Sequence, residues 1–392
     1  MSDVKQVRRW LDRVAIVGAD ESDEIGIVPH KGVLQLHAEA ALNALADAGL
    51  DKRDVDGVFT CGAGFAASLQ VAEYLGIQPR YTDSTSVGGS SFVIHVEHAA
   101  AAIASGLIDV ALITHGESGA SGPRRPGGGR PPNDPWFPAS QFEAPYHAGG
   151  PATTYALAAM RHMHQYGTTH EQLAEIAVAT RKWAMLNPKA FMRDPITIDD
   201  VLSSRWVSYP FHLLDCCLVT DAGGAVVVTS MDRARDLKKK PVKVLGSGEA
   251  TTHYTLANMP DLTTTPAAIS GPRAFEMAGV SHADLDVVEV YDSFTYTVLA
   301  TLEALGFCKP GEGGAFVSGQ RTAPGGDFPL NTSGGGLSYT HPGMYGMFLL
   351  IEATRQLRGE CGERQVADAK LCLVNGTGGA LSSTGTLILG VD

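Results

Sequence analysis

The chain has little charge and little aromaticity for its length. Of 392 residues, 18% are charged and 7% aromatic, whereas 44% are hydrophobic. That balance excludes a disordered polyelectrolyte and supplies enough apolar material for a large core. Cationic residues are the scarcer sign: 30 Lys and Arg against 42 Asp and Glu leave a formal net charge of −12. Such a surface argues against nucleic acid as the main partner, although helix N-termini can still hold an anionic ligand. The longest basic run, Lys238-Lys239-Lys240, reads as a solvated turn. The six cysteines, at 61, 216, 217, 308, 361 and 372, form no C-x-x-C pair. The spacing of a structural zinc site is therefore missing. Cys216 and Cys217 sit in an apolar run and read as buried thiols. His162 and His164 are too close together to share a helical face, and His170 is six residues on, so no metal is expected; no cofactor is expected either. No run approaches the length of a membrane span. The opening MSDVKQVRRWLDRVAIVG lacks the uninterrupted apolar segment of a secretory signal. A reducing cytoplasm is the expected location, with no membrane partner.

Short β-rich runs alternate with helical patterns. Residues 13–18, 55–60, 109–114 and 224–229 read as buried strands. Residues 32–48 read as a helix with Leu34, Leu42 and Leu45 facing inward, and a second helix is expected over Ser91–Ala104. The later chain repeats the plan, with strands at 242–248, 287–292, 371–375 and 384–390, a helix near 264–278, and a Gly-rich turn and helix over 331–358. The repeat is visible in residues. AGLDKRDVDGV at 48–58 matches AGVSHADLDVV at 278–288, with Asp54 and Asp56 answered by Asp284 and Asp286. TSVGGSS at 85–91 is answered by NTSGGGLS at 331–338, each read as directly preceding a helix. Two matches in the same order argue for duplication. The expected fold is α/β, with two related halves around a pseudo-twofold axis: 1–230 and 241–392. Residues 118–151 interrupt the first half. Their Gly and Pro exclude a regular helix or central strand. They read as a surface excursion or as a loop over the site or a subunit contact, with Trp136, Phe137, Phe142 and Tyr146 available for the second use.

Three segments carry a resemblance that spans nearly the whole chain. They are LLDCCLVTDAGGAVVV at 213–228, VYDSFTYTVLATLEALGFCKPGEGG at 290–314 and LNTSGGGLSYTHPGMYG at 330–346. Together they resemble the thiolase superfamily, in its sterol-carrier-protein-type branch. That resemblance implies a layered α/β/α/β/α arrangement. The third segment is similar to the family's Asn-x-x-Gly-Gly…Gly-His-Pro-x-Gly motif, with His341 on the histidine. In the second, Tyr291, Asp292 and Phe294 fall on the Asn-Glu-x-Phe or His-Asp-x-Phe motif. Two departures follow. The nucleophilic cysteine of thiolases falls on Gly88, which has no side chain to acylate. The last Gly-rich loop, LVNGTGGALSS, offers Asn375 where relatives carry Cys or His, and Asn is neither acid nor base near neutral pH.

The chemistry that survives is amide donation and proton transfer. Gly-rich turns at helix N-termini present N–H groups to a developing oxyanion, a use open to Gly88, Gly89, Gly334, Gly335, Gly336, Gly378 and Gly379. The same glycines read equally well as tight turns. His341 can exchange a proton, and Tyr291 and Tyr345 are candidates for acid and base without an assignment of which is which. Asp292 would orient one of them or cap a turn. Tyr296 and Tyr339 flank the same motifs, and His253 and Tyr254 are weaker candidates on a substrate loop. With thiolysis excluded at residue 88, the resemblance points to lipid-transfer-protein-type aldolases of bacterial steroid side-chain breakdown. It implies retro-aldol cleavage of a β-hydroxyacyl-CoA, a homodimer and a small partner with a DUF35-type OB fold. Two alternatives stay open: acyl transfer through Cys372 or Cys61, and a non-catalytic acyl-CoA- or lipid-binding subunit.

Overall fold

The apolar runs become strands in the computed structural model, which describes residues 13–122, 135–146 and 150–392. They are β1 (Val14–Glu21), β2 (Gly57–Thr60), β3 (Tyr81–Asp83), β4 (Val110–Ser118), β5 (Asp221–Ser230), β6 (Val242–Thr251), β7 (Val287–Val290), β8 (Leu371–Gly378) and β9 (Ser383–Gly390). Their ladder runs β3-β2-β4-β5-β1-β6-β9-β8-β7. Apart from β3 at one edge, it reads the same outward from the β1–β6 junction. β1–β5 and β5–β4 are antiparallel and β4–β2 is parallel; β6–β9 and β9–β8 are antiparallel and β8–β7 is parallel. The halves meet where Ala15 and Ile16 pair antiparallel with Lys243 and Val242. A twofold axis produces just such a self-matching contact between equivalent strands.

The longer helices are α1 (Val33–Ala48), α2 (Ala67–Leu75), α3 (Ser91–Ala104), α4 (Pro151–Tyr166), α5 (His170–Met185), α6 (Ala267–Ala278), α7 (Thr295–Leu305) and α8 (Gly346–Arg358). α1 covers β1, β4 and β5, and α6 covers β6 and β9. α3 and α8 touch strands of both halves and lie between them. The layers are therefore α/β/α/β/α. α4 and α5 share the apolar core of the second half with α7.

Equivalent residues do the same work in each half. Asp56 accepts hydrogen bonds from the amides of Asp109 and Val110 at the entry to β4. Asp286 accepts from Lys370 and Leu371 at the entry to β8. Asp51 with Asp54, and Ser281 with Asp284, close the same capping box before β2 and β7. Gly18 lets α1 approach β1: a Cβ there would sit 3.0 Å from the Ala48 Cβ and overlap the Ala44 carbonyl. Gly246 does the same beneath α6, where a Cβ would be 2.8 Å from the Ala278 nitrogen.

That close approach explains one misplaced residue. Leu42, expected inward, is 48% exposed, because α1 docks through Ala41, Ala44, Leu45 and Ala48. An alanine face brings the helix nearer the sheet than a leucine face would allow. The second Gly-rich turn also departs from expectation. Gly335–Tyr339 forms a single wide helical turn, and α8 starts only at Gly346. Within 118–151, residues 123–134 and 147–149 lie outside the described residues, and β4 extends to Ser118. A short helix at Pro138–Phe142 does form there, with Pro at its first turn, a position that needs no N–H donor.

Candidate active site

The C-terminal ends of β4, β7 and β8 and the N-terminus of α3 enclose a cavity of about 470 Å³. Gly88, Gly89, Tyr291, His341, Gly378 and Gly379 form its inner wall, and Phe137, Glu143 and Tyr254 stand nearer its mouth. Phe137 and Tyr254 meet edge to face at 5.5 Å, so part of the Gly/Pro-rich excursion does border this site.

Residue 88 is glycine for two structural reasons. Its φ is +85°, and a Cβ would lie 2.5 Å from the Gly379 nitrogen and 2.9 Å from the Gly378 Cα. Both obstacles are backbone, so a side chain cannot be added without moving the facing loop. Gly89 is equally constrained: a Cβ there would be 2.7 Å from the Tyr291 hydroxyl. The first Gly-rich turn thus makes room for a phenol rather than presenting a thiol.

Tyr291 is 5% exposed and directly follows β7. Its oxygen accepts the Tyr345 amide N–H at 3.0 Å and lies 2.9 Å from His341 Nε2. Burial lowers the His341 pKa to about 4, so the ring is neutral at pH 7. The network then has the phenol donating to Nε2, with the ring proton on Nδ1. Burial also pushes the Tyr291 phenol well above its ordinary value. The resting pair is neutral phenol and neutral imidazole. A substrate hydroxyl that donates to the Tyr291 oxygen can pass a proton along the line to His341.

The other residues expected at the site separate into two groups. Gly378 lines the cavity beside Gly379. Tyr345, Asp292, Gly335, Gly336 and Asn375 do not. The Tyr345 phenol is fully buried and pairs with Ser333 at 2.9 Å; only its backbone amide serves the site. Asp292 accepts the amides of Gly336 at 2.7 Å and Leu337 at 3.1 Å. Those donors are therefore committed to an internal carboxylate, not to an oxyanion. Gly335 has to be glycine, since a Cβ would be 2.8 Å from the Asp292 Cγ. Burial raises the Asp292 pKa to about 7. Asn375 donates to Thr386 within the β8–β9 pair. Tyr296 bonds to the Leu262 carbonyl and Tyr339 to Glu21, both away from the cavity. His253 bonds to the Ala380 carbonyl, and Tyr254 stands exposed at the mouth.

Sequence reasoning missed Glu117, Tyr155, Cys217, Ser293 and Thr377, all of which line the cavity. Glu117 and Thr377 each fall at the C-terminal end of a strand, a position that favours ligand sites in α/β folds. Tyr155 donates to the Gly379 carbonyl at 2.8 Å and anchors the last Gly-rich loop. Cys61 and Cys372 lie outside the cavity; burial raises the Cys61 pKa to about 11. Cys217 is a cavity thiol, but burial raises its pKa, and Cys216 and Asp292 reinforce the shift. It is held as a thiol, the weak form of the nucleophile. Among the described residues, no group of three metal-binding side chains occurs and no helix is long and apolar enough to cross a membrane.

A family profile described as thiolase C-terminal domain-like matches residues 248–391. The steroid side-chain-cleaving aldolase of Thermomonospora curvata is 37% identical, with 92% of this chain and 93% of that protein covered. The chain belongs to the thiolase superfamily. The thiolase relatives include the 17-hydroxy-3-oxo-4-pregnene-20-carboxyl-CoA lyase of Mycobacterium tuberculosis, 37% identical over 96% of this chain and 99% of that protein. Among solved structures, the Ltp2-ChsH2(DUF35) aldolase superposes with a TM-score of 0.89 at 34% identity, covering 97% of this chain and 98% of that one. Within this superfamily, the chain carries a bare glycine at residue 88 and a phenol standing against Gly89.

Proposed function

We propose that the protein cleaves a carbon–carbon bond of a β-hydroxyacyl-CoA by a retro-aldol reaction, releasing a ketone or aldehyde and a short acyl-CoA. The observation that carries this reading is the cavity wall itself. Position 88 has no room for a nucleophile, while a phenol–imidazole pair stands intact beside it. Thiolysis and retro-aldol cleavage share a thioester enolate, but only thiolysis needs a side chain to capture the acyl group. In the proposed reaction Tyr291 takes the β-hydroxyl proton while its own proton passes to His341. The O–H electron pair becomes the new carbonyl bond. The Cα–Cβ pair moves into the enolate, whose oxygen faces the Gly-rich wall of residues 88, 89, 378 and 379.

Two relatives are named as a steroid side-chain-cleaving aldolase and a pregnene-carboxyl-CoA lyase, which supports a bulky, steroid-type acyl chain for this protein as well. The solved relative whose name couples an aldolase with ChsH2(DUF35) supports a DUF35-type OB-fold partner. A homodimer and a cytoplasmic location complete the reading. It requires no cofactor, because CoA enters as part of the substrate.

The test incubates the protein, alone and with a DUF35-type partner, with a tertiary β-hydroxyacyl-CoA. Ketone and short acyl-CoA should appear in equal amounts. Absence of cleavage, together with thiolysis of a β-ketoacyl-CoA, would overturn the proposal. Acyl transfer through Cys217 is the second reading, favoured only by the presence of that thiol in the cavity.

A further inference from the structure

Retro-aldol cleavage needs two proton transfers, one from oxygen and one to carbon. The Tyr291–His341 line accounts for the first. The Tyr345 phenol, the other group the sequence suggested, points to Ser333 instead. The Tyr291–His341 line leaves the enolate carbon still to be protonated.

We propose that Glu117 is the proton donor: its carboxyl group protonates Cα of the enolate. Glu117 lies at the end of β4, with its side chain 29% exposed, and lines the cavity together with Tyr291 and His341. The wall is shaped around it. Gly343, in the His-Pro-Gly segment, faces its carboxylate so closely that a Cβ would lie 2.6 Å from Cδ and 2.8 Å from Oε1. Behind it stands His115, fully buried, with Nε2 3.6 Å from Oε2. Burial holds His115 neutral. The charge on Glu117 also acts on Tyr291, raising its pKa, which places the two groups within electrostatic reach.

The inference rests on the retro-aldol reading for its place in the cycle, and the protons balance. The β-hydroxyl proton passes to Tyr291 as the Tyr291 proton passes to His341. The His341 imidazolium passes one proton to the Glu117 carboxylate, and the Glu117 carboxyl gives that proton to Cα, whose electron pair came from the broken Cα–Cβ bond. Glu117 handles carbon and Tyr291 handles oxygen.

That division can be read without the cleavage reaction. A carbon acid–base group exchanges the α-hydrogens of a bound acyl-CoA with solvent. Wild type, Glu117→Gln, Glu117→Asp and Tyr291→Phe are incubated with acetyl-CoA in D2O, and deuterium uptake is followed by mass spectrometry. Acetyl-CoA affinity and thermal unfolding are measured alongside. Glu117→Gln should lose about 100-fold in exchange with affinity within about threefold. Glu117→Asp should fall between it and wild type, and Tyr291→Phe should keep exchange within about fivefold of wild type. Exchange in Glu117→Gln within threefold of wild type overturns the assignment. So does equal loss in Glu117→Gln and Tyr291→Phe, loss explained by affinity or unfolding, or absence of exchange in wild type. Exchange by a wild type that cleaves no β-hydroxyacyl-CoA sinks the retro-aldol reading while leaving Glu117 as the group that serves Cα.

Discussion

Removing one oxygen from Tyr291 separates the roles of the two tyrosines. In Tyr291→Phe the ring still fills the space against Gly89, but two polar groups lose their partner: the Tyr345 amide at 3.0 Å and His341 Nε2 at 2.9 Å. Each unsatisfied buried group costs about 1–3 kcal/mol, so the variant should be destabilised by roughly 2–6 kcal/mol in total. Loss of the base should lower kcat by about 10²–10⁴-fold. Tyr345→Phe is the matched control. It breaks only the phenol bond to Ser333 and leaves the backbone amide in place. That costs about 0.5–1.5 kcal/mol, and kcat should stay within about tenfold of wild type. The assay quantifies ketone and short acyl-CoA by chromatography, with urea unfolding for stability. A Tyr291→Phe enzyme within threefold of wild type would refute the reasoning, and so would a Tyr345→Phe enzyme that is the more damaged of the two.

Three further outcomes follow from the same geometry. Gly88→Ala should lose about 2–5 kcal/mol, from a left-handed backbone position and a forced shift of the facing loop, with a fall in kcat; a melting temperature and rate equal to wild type would show that the loop yields freely. The acid limb of the kcat–pH profile should lie near 4 rather than 6.5, because protonation of His341 occupies the Nε2 acceptor and that ring is held neutral until about pH 4; a limb near 6.5 contradicts this. Asp292→Asn leaves one of the Gly336 and Leu337 amides unsatisfied and should cost about 1–3 kcal/mol. Asp292 has a raised folded-state pKa of about 7, so its stabilising contribution is complete below pH 3.8 and is lost as the pH rises through 7. The stability gap between wild type and Asp292→Asn should therefore be wider at pH 5 than at pH 8, as measured by urea titration.

Much of the architecture is legible in the residues because the duplication repeats polar details as well as apolar ones. Asp56 and Asp286 recur since each must tie the start of a neighbouring strand, a requirement that side-chain spacing records directly. Leu42 shows where periodicity stops helping: a helix can present either a leucine or an alanine stripe, and the glycines that choose between them, such as Gly18, lie on a different element. At the site, Gly88, Tyr291 and His341 stood out because the motifs fix their local positions. Tyr345, Gly335, Gly336 and Asn375 share those motifs, but their contacts depend on tertiary direction. A phenol turned toward Ser333, or an amide taken by Asp292, leaves no mark on spacing. Glu117, Tyr155 and Cys217 reach the cavity from strands, helices and loops distant in sequence, and nothing local announces their convergence.

The central claim is best tested by the intact mass of the protein during turnover. Acid-quenched enzyme, sampled while a β-hydroxyacyl-CoA is being consumed, should retain its unmodified mass at every time point while ketone accumulates. A mass increase equal to the acyl group, abolished by Cys217→Ala together with activity, would show that the reaction passes through a thioester on the protein and that proton transfer alone does not describe this site.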